Sequence, residues 1–367
     1  MIDAVIIGFS HMHVNEVALY ISERDDMELL AISEVPSKGA EEVPPLRYTP
    51  KWNLENVKTN YCSNVYDDYK VMLDEVKPDI AFILTENCQK PEVVEECAKR
   101  HIDVSIEKPI AVSLEEAEKM KASIEKYGIK AVVNWPVIWR EYIHRMKAAL
   151  DKEIVGEPMK LRYMNGHTSP LGKGAKHRGV SATADVMTDE QRGKTWWYKE
   201  ALGGGVFLDI ACYGCFFSRW IFGKGAKKTI AMGANLNTPF ADTDDNLAAV
   251  IKYDGKMAVI EGTWTTPRAV IPSGPMVLCR NGVIMCTGGA ENEPDVKAFD
   301  IYGNEVEIPE IEFGEEFKNM PSQYAIAQKT GKDIYDMLTF DVNMEVMAIL
   351  DAVIKSAVSG REEEIHE

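Results

Sequence analysis

Short runs of aliphatic and β-branched residues alternate with segments of helical period through roughly the first third of the chain. This alternation predicts a parallel sheet wrapped by helices. The predicted strands span residues 5–7, 29–33, 80–84, 104–106 and 130–134, and the predicted helices span 14–24, 67–75, 91–100 and 114–127. Residues 38–59 form a polar connection that the pattern leaves unassigned. The fold class is therefore α/β, and residues 1–131 are predicted to form a doubly wound Rossmann domain.

Longer alternating stretches replace this pattern after about residue 135, at 159–163, 229–234, 247–253 and 257–263. They predict an α+β domain over residues 132–367, built on a large open, mostly antiparallel sheet. One face of that sheet is expected to be covered and the other to form a homodimer or homotetramer. The segment 166–195 has little periodicity and is either a surface loop or a substrate lid. A final helix, 333–359, is expected to pack back between the domains.

Composition excludes several classes of protein. The chain has 367 residues, of which 46% are hydrophobic, and a net charge of -17, which disfavours nucleic acid and anionic membranes. The amino-terminal residues lack the pattern of a secretion signal, and no stretch approaches membrane-spanning length. Seven scattered cysteines suit a reducing compartment, and the pair Cys212 and Cys215 is expected to be buried. We expect a cytoplasmic protein.

The first strand leads into a turn that has part of a dinucleotide-binding motif. The turn reads Gly8, Phe9, Ser10, His11, Met12 and His13. A complete G-x-G-x-x-G turn brings the backbone close to pyrophosphate, and only its first glycine is present here. The strand-turn-helix context still favours a dinucleotide. The two histidines have no carboxylate or thiol near them in the sequence, so no metal is predicted.

Polar residues follow the next strands at positions suited to the same cofactor. Glu34 ends the second strand, where a carboxylate accepts hydrogen bonds from ribose hydroxyls and repels a 2'-phosphate, so NAD is favoured and NADP remains possible. Thr85, Glu86 and Asn87 follow the strand at 80–84 and are predicted to line the nicotinamide ribose, although such residues are also common in turns.

A glutamate and a lysine leave the strand at 104–106 together. Glu107 and Lys108 precede Pro109, which turns the chain at the carboxyl edge of the sheet, where open α/β sheets bind ligands. Lys108 is the first candidate for a catalytic residue.

Three consecutive glycines and an aspartate make up the second candidate segment. Residues 203–205 are glycines, and the apolar helix after them carries Asp209 and Tyr213 four residues apart, on one face. Glycines permit close approach of the chain to a ligand. A carboxylate in such a helix needs a partner, which is either an arginine in a structural pair or part of a catalytic site.

Together these motifs resemble the glucose-fructose oxidoreductase and inositol dehydrogenase family (Gfo/Idh/MocA) over nearly the whole chain. The resemblance implies NAD(P)-dependent hydride transfer on a sugar, polyol or glycoside carbon. The family's usual catalytic histidine falls at Tyr213, which is similar to the branch in which a tyrosine takes that place. The resemblance implies that Tyr213 is the acid/base, that Lys108 polarises the substrate oxygen or itself carries the proton, and that Asp209 orients both.

Substrate contacts and alternatives complete the set of predictions. Trp197 and Tyr198 are placed to stack on a sugar ring or to pack in the core, and His167 is placed to reach a hydroxyl. An alternative function is NAD-dependent glycoside cleavage by transient oxidation and elimination. A second alternative is a catalytically silent nucleotide-binding regulator.

Overall fold

The computed structural model describes residues 1–172, 180, 187–266, 273–289 and 292–366. The middle of the predicted 166–195 loop, at 173–179 and 181–186, lies outside the described residues. The chain divides into two compact units. The first contains Met1–Trp135, Leu171–Gly204 and Glu315–Asn343, and the second contains Pro136–Pro170, Gly205–Gly314 and Met344–Glu367. The proposed domain boundary after residue 131 stays a prediction.

A fully parallel sheet organises the first unit. Its six described strands run in the order β3-β2-β1-β4-β5-β6, the order of a Rossmann fold. The strands are β1 (Ile2–Ile7), β2 (Met27–Ser33), β3 (Val65–Tyr66), β4 (Ile80–Ile83), β5 (Asp103–Glu107) and β6 (Ala131–Asn134). Ala4 to Ile7 in β1 and all of β4 are fully buried, because helices cover both faces of the sheet.

Several helices of the first unit begin and end at residues suited to those positions. The helices of this unit are Val14–Ser22, Pro50–Asn60, Tyr69–Val76, Lys90–Lys99, Leu114–Tyr127, Asp189–Lys194 and Met320–Thr330. Ser113 accepts a hydrogen bond from the Glu116 amide at the start of the fifth, and Gly128 ends it with φ 67°. The unassigned 38–59 connection contains the helix Pro50–Asn60, which Thr49 caps.

A larger sheet organises the second unit. Its nine described strands run in the order β14-β13-β12-β11-β7-β10-β9-β8-β15, and β7 with β10 is the one parallel pair among them. The strands are β7 (Pro158–Gly166), β8 (Lys228–Ala234), β9 (Asn246–Lys252), β10 (Met257–Thr263), β11 (Gly274–Cys279), β12 (Gly282–Gly289), β13 (Asn292–Asp300), β14 (Glu305–Val306) and β15 (Glu363–Glu364). The predicted fold class is confirmed.

Burial alternates along the strands of this second sheet. In β8, Thr229 and Ala231 are buried, whereas Ile230 and Met232 are exposed. The same alternation in β9 shows that one face is covered and the other lies open within the unit. The helices Glu141–Asp151 and Cys212–Phe222 belong to this unit.

Two long helical stretches lie near residues 210 and 350. The final helix spans Phe340–Ser359, so the predicted start at 333 is wrong, because a separate 3₁₀ turn occupies Asp336–Leu338. Its packing between domains stays a prediction.

The stretch Glu200–Phe222 is long and apolar enough to cross a membrane by length and composition, and 83% of its most apolar window is buried. Such burial is what a core helix shows.

Candidate active site

The turn after β1 requires a glycine at its first position. Gly8 has φ 85°, and a Cβ atom there would lie 2.4 Å from Thr85 Cγ2 and 2.8 Å from the Thr85 amide nitrogen. The turn is therefore packed directly against Thr85, two residues after β4. Phe9, Ser10, His11 and Met12 follow, and all four are buried.

Several amide donors of this turn are already used inside the protein. The His11 amide donates to Leu84 O (3.0 Å), and the His13 amide lies 3.2 Å from His11 Nδ1. The Phe9 amide donates to Glu34 Oε1 (3.2 Å). The amides of Phe9, His11 and His13 are therefore bonded inside the protein, in a turn that has side chains at the second and third glycine positions.

Glu34 follows β2 with a buried carboxyl group. Its Oε1 accepts from the Phe9 and Val35 amides, whereas its Oε2 is buried and receives no hydrogen bond from any described residue. Burial raises the pKa of Glu34 to about 7, and the nearby Glu86 carboxylate adds to this. Burial also raises the pKa of Glu86, to about 6. Among the described residues, Oε2 thus has no hydrogen-bond donor. A carboxylate oxygen that accepts a hydrogen bond from a ribose hydroxyl would be in this state before the cofactor binds.

The residues after β4 are held mainly by each other. Glu86 and Gln89 form a reciprocal capping box around a 3₁₀ turn at Asn87–Gln89. Thr85 Oγ1 donates to the Glu86 carbonyl (3.1 Å). The side-chain nitrogen of Asn87 donates to Gly203 O at 2.8 Å. The Asn87 side chain therefore joins this turn to the triple-glycine segment, and its role toward the cofactor stays a prediction.

Lys90 is a functional candidate that the sequence analysis missed. It is fully buried, and its Nζ donates to Asn87 Oδ1 (2.7 Å), Glu107 O (2.6 Å) and Pro109 O (2.6 Å). An ammonium group has three hydrogens, and these three acceptors satisfy them. Lys90 thus fixes the backbone on both sides of Lys108. The sequence does contain a signal for this role of Lys90. It is a lysine in the first turn of an otherwise amphipathic helix, three residues after Asn87.

Glu107 and Lys108 occupy the end of β5 as predicted, and both are buried. The Lys108–Pro109 peptide bond is cis. Glu107 Oε2 accepts from Asn134 Nδ2 at 2.8 Å, and its Oε1 lies 3.1 Å from His13 Nδ1. The expectation that His11 and His13 have no nearby carboxylate is wrong, because β5 brings Glu107 to the turn from almost a hundred residues away in sequence.

The tryptophans before the glycines pack against the same turn. Trp196 Nε1 donates to Ser10 O (2.9 Å), and the Trp197 ring stacks on Trp196 and lies 5.0 Å from the His11 ring. Trp197 and Tyr198 are 4% and 1% exposed, so most of each ring is in contact with protein. Their stacking on a sugar stays a prediction.

The first two glycines make close contacts within the first unit. A Cβ on Gly204 would lie 2.3 Å from Trp197 O, and one on Gly203 would lie 2.4 Å from Val112 Cγ1. These two glycines therefore allow the backbone to pack closely against other parts of the first unit.

The second unit places Asp209 in a hydrogen-bonded cluster. Asp209 lies in a π-helical turn, Phe207–Ala211, and its Oδ2 accepts from His167 Nε2 (3.1 Å) and Trp264 Nε1 (2.9 Å). A histidine and an indole are thus partners of this carboxylate, where the sequence left open an arginine pair or a catalytic site. Tyr213 follows in the first turn of Cys212–Phe222 and is 9% exposed. The catalytic role of both residues and the substrate contact of His167 stay predictions.

These features are those of a dinucleotide-binding protein of the Rossmann class. A family model described as "Oxidoreductase family, NAD-binding Rossmann fold" matches residues 2–135, and one described as "GFO/IDH/MocA C-terminal domain" matches residues 143–285. The chain belongs to the Gfo/Idh/MocA family of NAD-binding oxidoreductases. The predicted family and the NAD cofactor are confirmed.

Individual relatives are distant. The chain is 23% identical over 203 residues to "Uncharacterized oxidoreductase YrbE" and 22% identical over 205 residues to "scyllo-inositol 2-dehydrogenase (NAD(+))", both of Bacillus subtilis. These matches cover 54% and 55% of the chain and 52% and 53% of the relatives. The chain thus spans about half the length of these curated relatives.

The solved structures share the whole fold. The aldose-aldose oxidoreductase of Caulobacter crescentus, complexed with glycerol, superposes with a TM-score of 0.76 at 16% identity. The match covers 99% of each chain. At this identity the likeness shows the fold alone.

Replacing Lys90 with methionine should destabilise the first unit. Lys90→Met leaves three buried acceptors without a donor, so we expect a loss of about 3–5 kcal/mol in the free energy of unfolding. Urea unfolding followed by circular dichroism measures this. Lys99→Met, on the exposed side of the same helix, is the matched control and should change stability by less than about 0.5 kcal/mol. Equal effects of the two substitutions would contradict the role given to Lys90.

Replacing Glu34 with glutamine should have a pH-dependent effect on the NAD-free protein. The folded pKa of Glu34, about 7, lies above its ordinary 4.5, so the stability from its protonation is present below pH 4.5 and is lost as pH rises through 7. Glutamine does not ionise. Glu34→Gln should therefore raise the melting temperature by a few degrees at pH 8 and little at pH 5, at about 2–4 °C per kcal/mol. Scanning calorimetry checks this, with the exposed Glu28→Gln in the preceding strand β2 as control. The same shift at both pH values would refute the assignment.

Proposed function

We propose that this chain is a dehydrogenase that transfers hydride between NAD and a CH–OH carbon of a sugar, polyol or glycoside. The observation that carries the proposal is a buried lysine, Lys108, at the carboxyl end of β5 in the unit that contains the dinucleotide turn. Open α/β sheets bind ligands at that edge. A distant relative named as an inositol dehydrogenase and a neighbour named as an aldose oxidoreductase support the substrate class.

Lys108 is proposed as the cation at the substrate oxygen. Lys90 holds the carbonyls of Glu107 and Pro109, so the backbone on either side of Lys108 is fixed before substrate arrives. A fixed ammonium stabilises negative charge that develops on an oxygen at little cost in reorganisation. NAD supplies the hydride acceptor, and the protein positions the carbon and removes the hydroxyl proton.

Tyr213 is proposed as the group that exchanges this proton. A phenol has an unperturbed pKa of about 10, and a neighbouring cation favours its phenolate. In the oxidation direction the C–H electron pair leaves with the hydride, and the hydroxyl proton passes to the phenolate. Lys108 as the proton carrier remains the alternative assignment.

Asp209 is proposed as a positioning residue. Its carboxylate holds the His167 ring and the Trp264 indole, and it lies one turn before Tyr213 on the same helical segment. Asp209 was expected to orient Lys108 and Tyr213. Its hydrogen bond to His167 adds a second proposed role, which is to orient that ring toward a substrate hydroxyl.

Replacing Lys108 should slow turnover strongly but spare cofactor binding. Lys108→Ala should lower kcat by about a hundredfold or more, whereas NAD affinity should stay within about tenfold, because phosphate and adenosine contacts dominate binding. Steady-state kinetics and fluorescence titration with NADH measure the two effects. Lys99→Ala is the matched surface control. Wild-type turnover in Lys108→Ala would reject the proposal.

Replacing Tyr213 tests whether it acts on the same oxygen as Lys108. Tyr213→Phe should lower kcat by about a hundredfold and remove one limb of the pH–rate profile, whereas the exposed Tyr302→Phe should change neither. Groups that act as a unit are non-additive, so Lys108→Ala/Tyr213→Phe should be about as slow as the slower single variant. Losses that multiply would mean that the two residues act independently.

Product analysis separates the dehydrogenase from its alternatives. A keto product with an equal amount of NADH supports the dehydrogenase. Release of an aglycone without net NADH indicates glycoside cleavage by transient oxidation. Binding of NAD with no turnover on a broad panel of sugars, polyols and glycosides would indicate a regulator.

A further inference from the structure

We propose that His11, His13 and Glu107 form a binding site for a divalent ion of the zinc class. One ligand atom from each of the three residues lies within 4.8 Å of the other two. His11 and Glu107 are buried, and the side chain of His13 is 13% exposed. The site lies in the first unit, between the dinucleotide turn and the end of β5.

The separations of the ligand atoms fit a small ion. Bonds of about 2.0–2.2 Å at a tetrahedral angle place two ligand atoms about 3.3–3.5 Å apart. His13 Nδ1 and Glu107 Oε1 are 3.1 Å apart, and the two imidazole rings have centroids 4.3 Å apart. The ligand atom of His11 lies within 4.8 Å of the other two.

A second observation concerns the carboxylate of Glu107. Asn134 Nδ2 donates to Oε2 and so fixes the orientation of the group. The other oxygen, Oε1, is buried and has His13 Nδ1, 3.1 Å away, as its ion-pair partner among the described residues. Metal-binding carboxylates are held in this way, with one oxygen bonded to a neighbouring donor and the other turned to the ion.

The donor set selects the class of ion. Two imidazoles and one carboxylate bind Zn²⁺, Co²⁺ or Fe²⁺, whereas Mg²⁺ prefers oxygen ligands and retains several waters. Three protein ligands leave a fourth position for an oxygen ligand such as water. The charge of Glu107 and of the nearby Glu16 favours a cation, and the Lys108 ammonium opposes it.

His13 stands where dinucleotide turns have their third glycine, and His11 lies two residues before it. The His11 and His13 amides are bonded within the protein, and the centroids of the two imidazole rings lie 4.3 Å apart. His-x-His spacing on such a turn places both rings beside the carboxylate of β5.

Metal titration of the whole chain tests the site. After chelation and dialysis, Zn²⁺ is titrated by calorimetry, and the bound ion is counted by mass spectrometry after gel filtration. We expect one ion per chain with a Kd below about 1 µM, and a weakening of at least about a hundredfold in His13→Gly and in Glu107→Gln. Mg²⁺ should not compete. His101→Ala, at an exposed histidine, is the matched control and should leave the affinity unchanged.

The outcomes separate this site from the other possible ligands. His13→Gly restores the residue of a typical dinucleotide turn, and circular dichroism confirms that it folds. Visible and X-ray absorption of the Co²⁺-loaded wild type reports the ligand types without any substitution, and nitrogen and oxygen ligands alone are expected. Sulfur ligands would assign the ion to cysteines and overturn the proposal. So would wild-type protein that takes up no ion, or His13→Gly that binds Zn²⁺ as tightly as wild type; His13 and Glu107 would then form an ion pair only.

Discussion

The ammonium group of Lys90 is the constraint on which the cofactor edge of the first unit depends. It is fully buried and bonds to one side-chain oxygen and two carbonyls. A buried ammonium group is stable only where each of its N–H groups donates to an acceptor. The same hydrogen bonds fix the positions of those acceptors. Through Asn87 the same network reaches the carbonyl of Gly203. One side chain thus joins the turn after β4, the loop after β5 and the triple-glycine segment.

Much of the fold was predictable because local pattern and burial agree. Five of the six strands of the first sheet were predicted from short apolar runs, and the helix Leu114–Tyr127 has its cap and its terminating glycine at the expected places. The strand β3 was missed because it has only two residues, neither of them buried. The helix Pro50–Asn60 was not assigned because its sequence is polar and has no clear apolar stripe. The final helix was predicted seven residues too long because residues 333–339 lack a strong breaker and form a turn of their own.

The candidate site was predictable residue by residue but not as a set of contacts. Sequence order places Glu34, Asn87 and Lys108 at strand ends, and the sheet confirms those positions. Sequence order does not show that Glu107 contacts His13 or that Lys90 donates to Glu107 O. Nor does it show that Asp209 accepts hydrogen bonds from His167 and Trp264. The members of these pairs are far apart in the chain. Hydrogen-bond partners of this kind depend on packing between segments, and packing is decided by the whole fold.

The first unit is assembled from three separate stretches of the chain, and this discontinuity limits how it can be dissected. A fragment that ends at residue 135 would lack the Trp196 indole that covers the Ser10 carbonyl and the Gly203 carbonyl that Asn87 binds. It would also lack the Met320–Thr330 helix. Truncation would thus expose polar groups and apolar surface in the nucleotide-binding half itself. A truncated or grafted version of the first unit would therefore need to contain all three stretches.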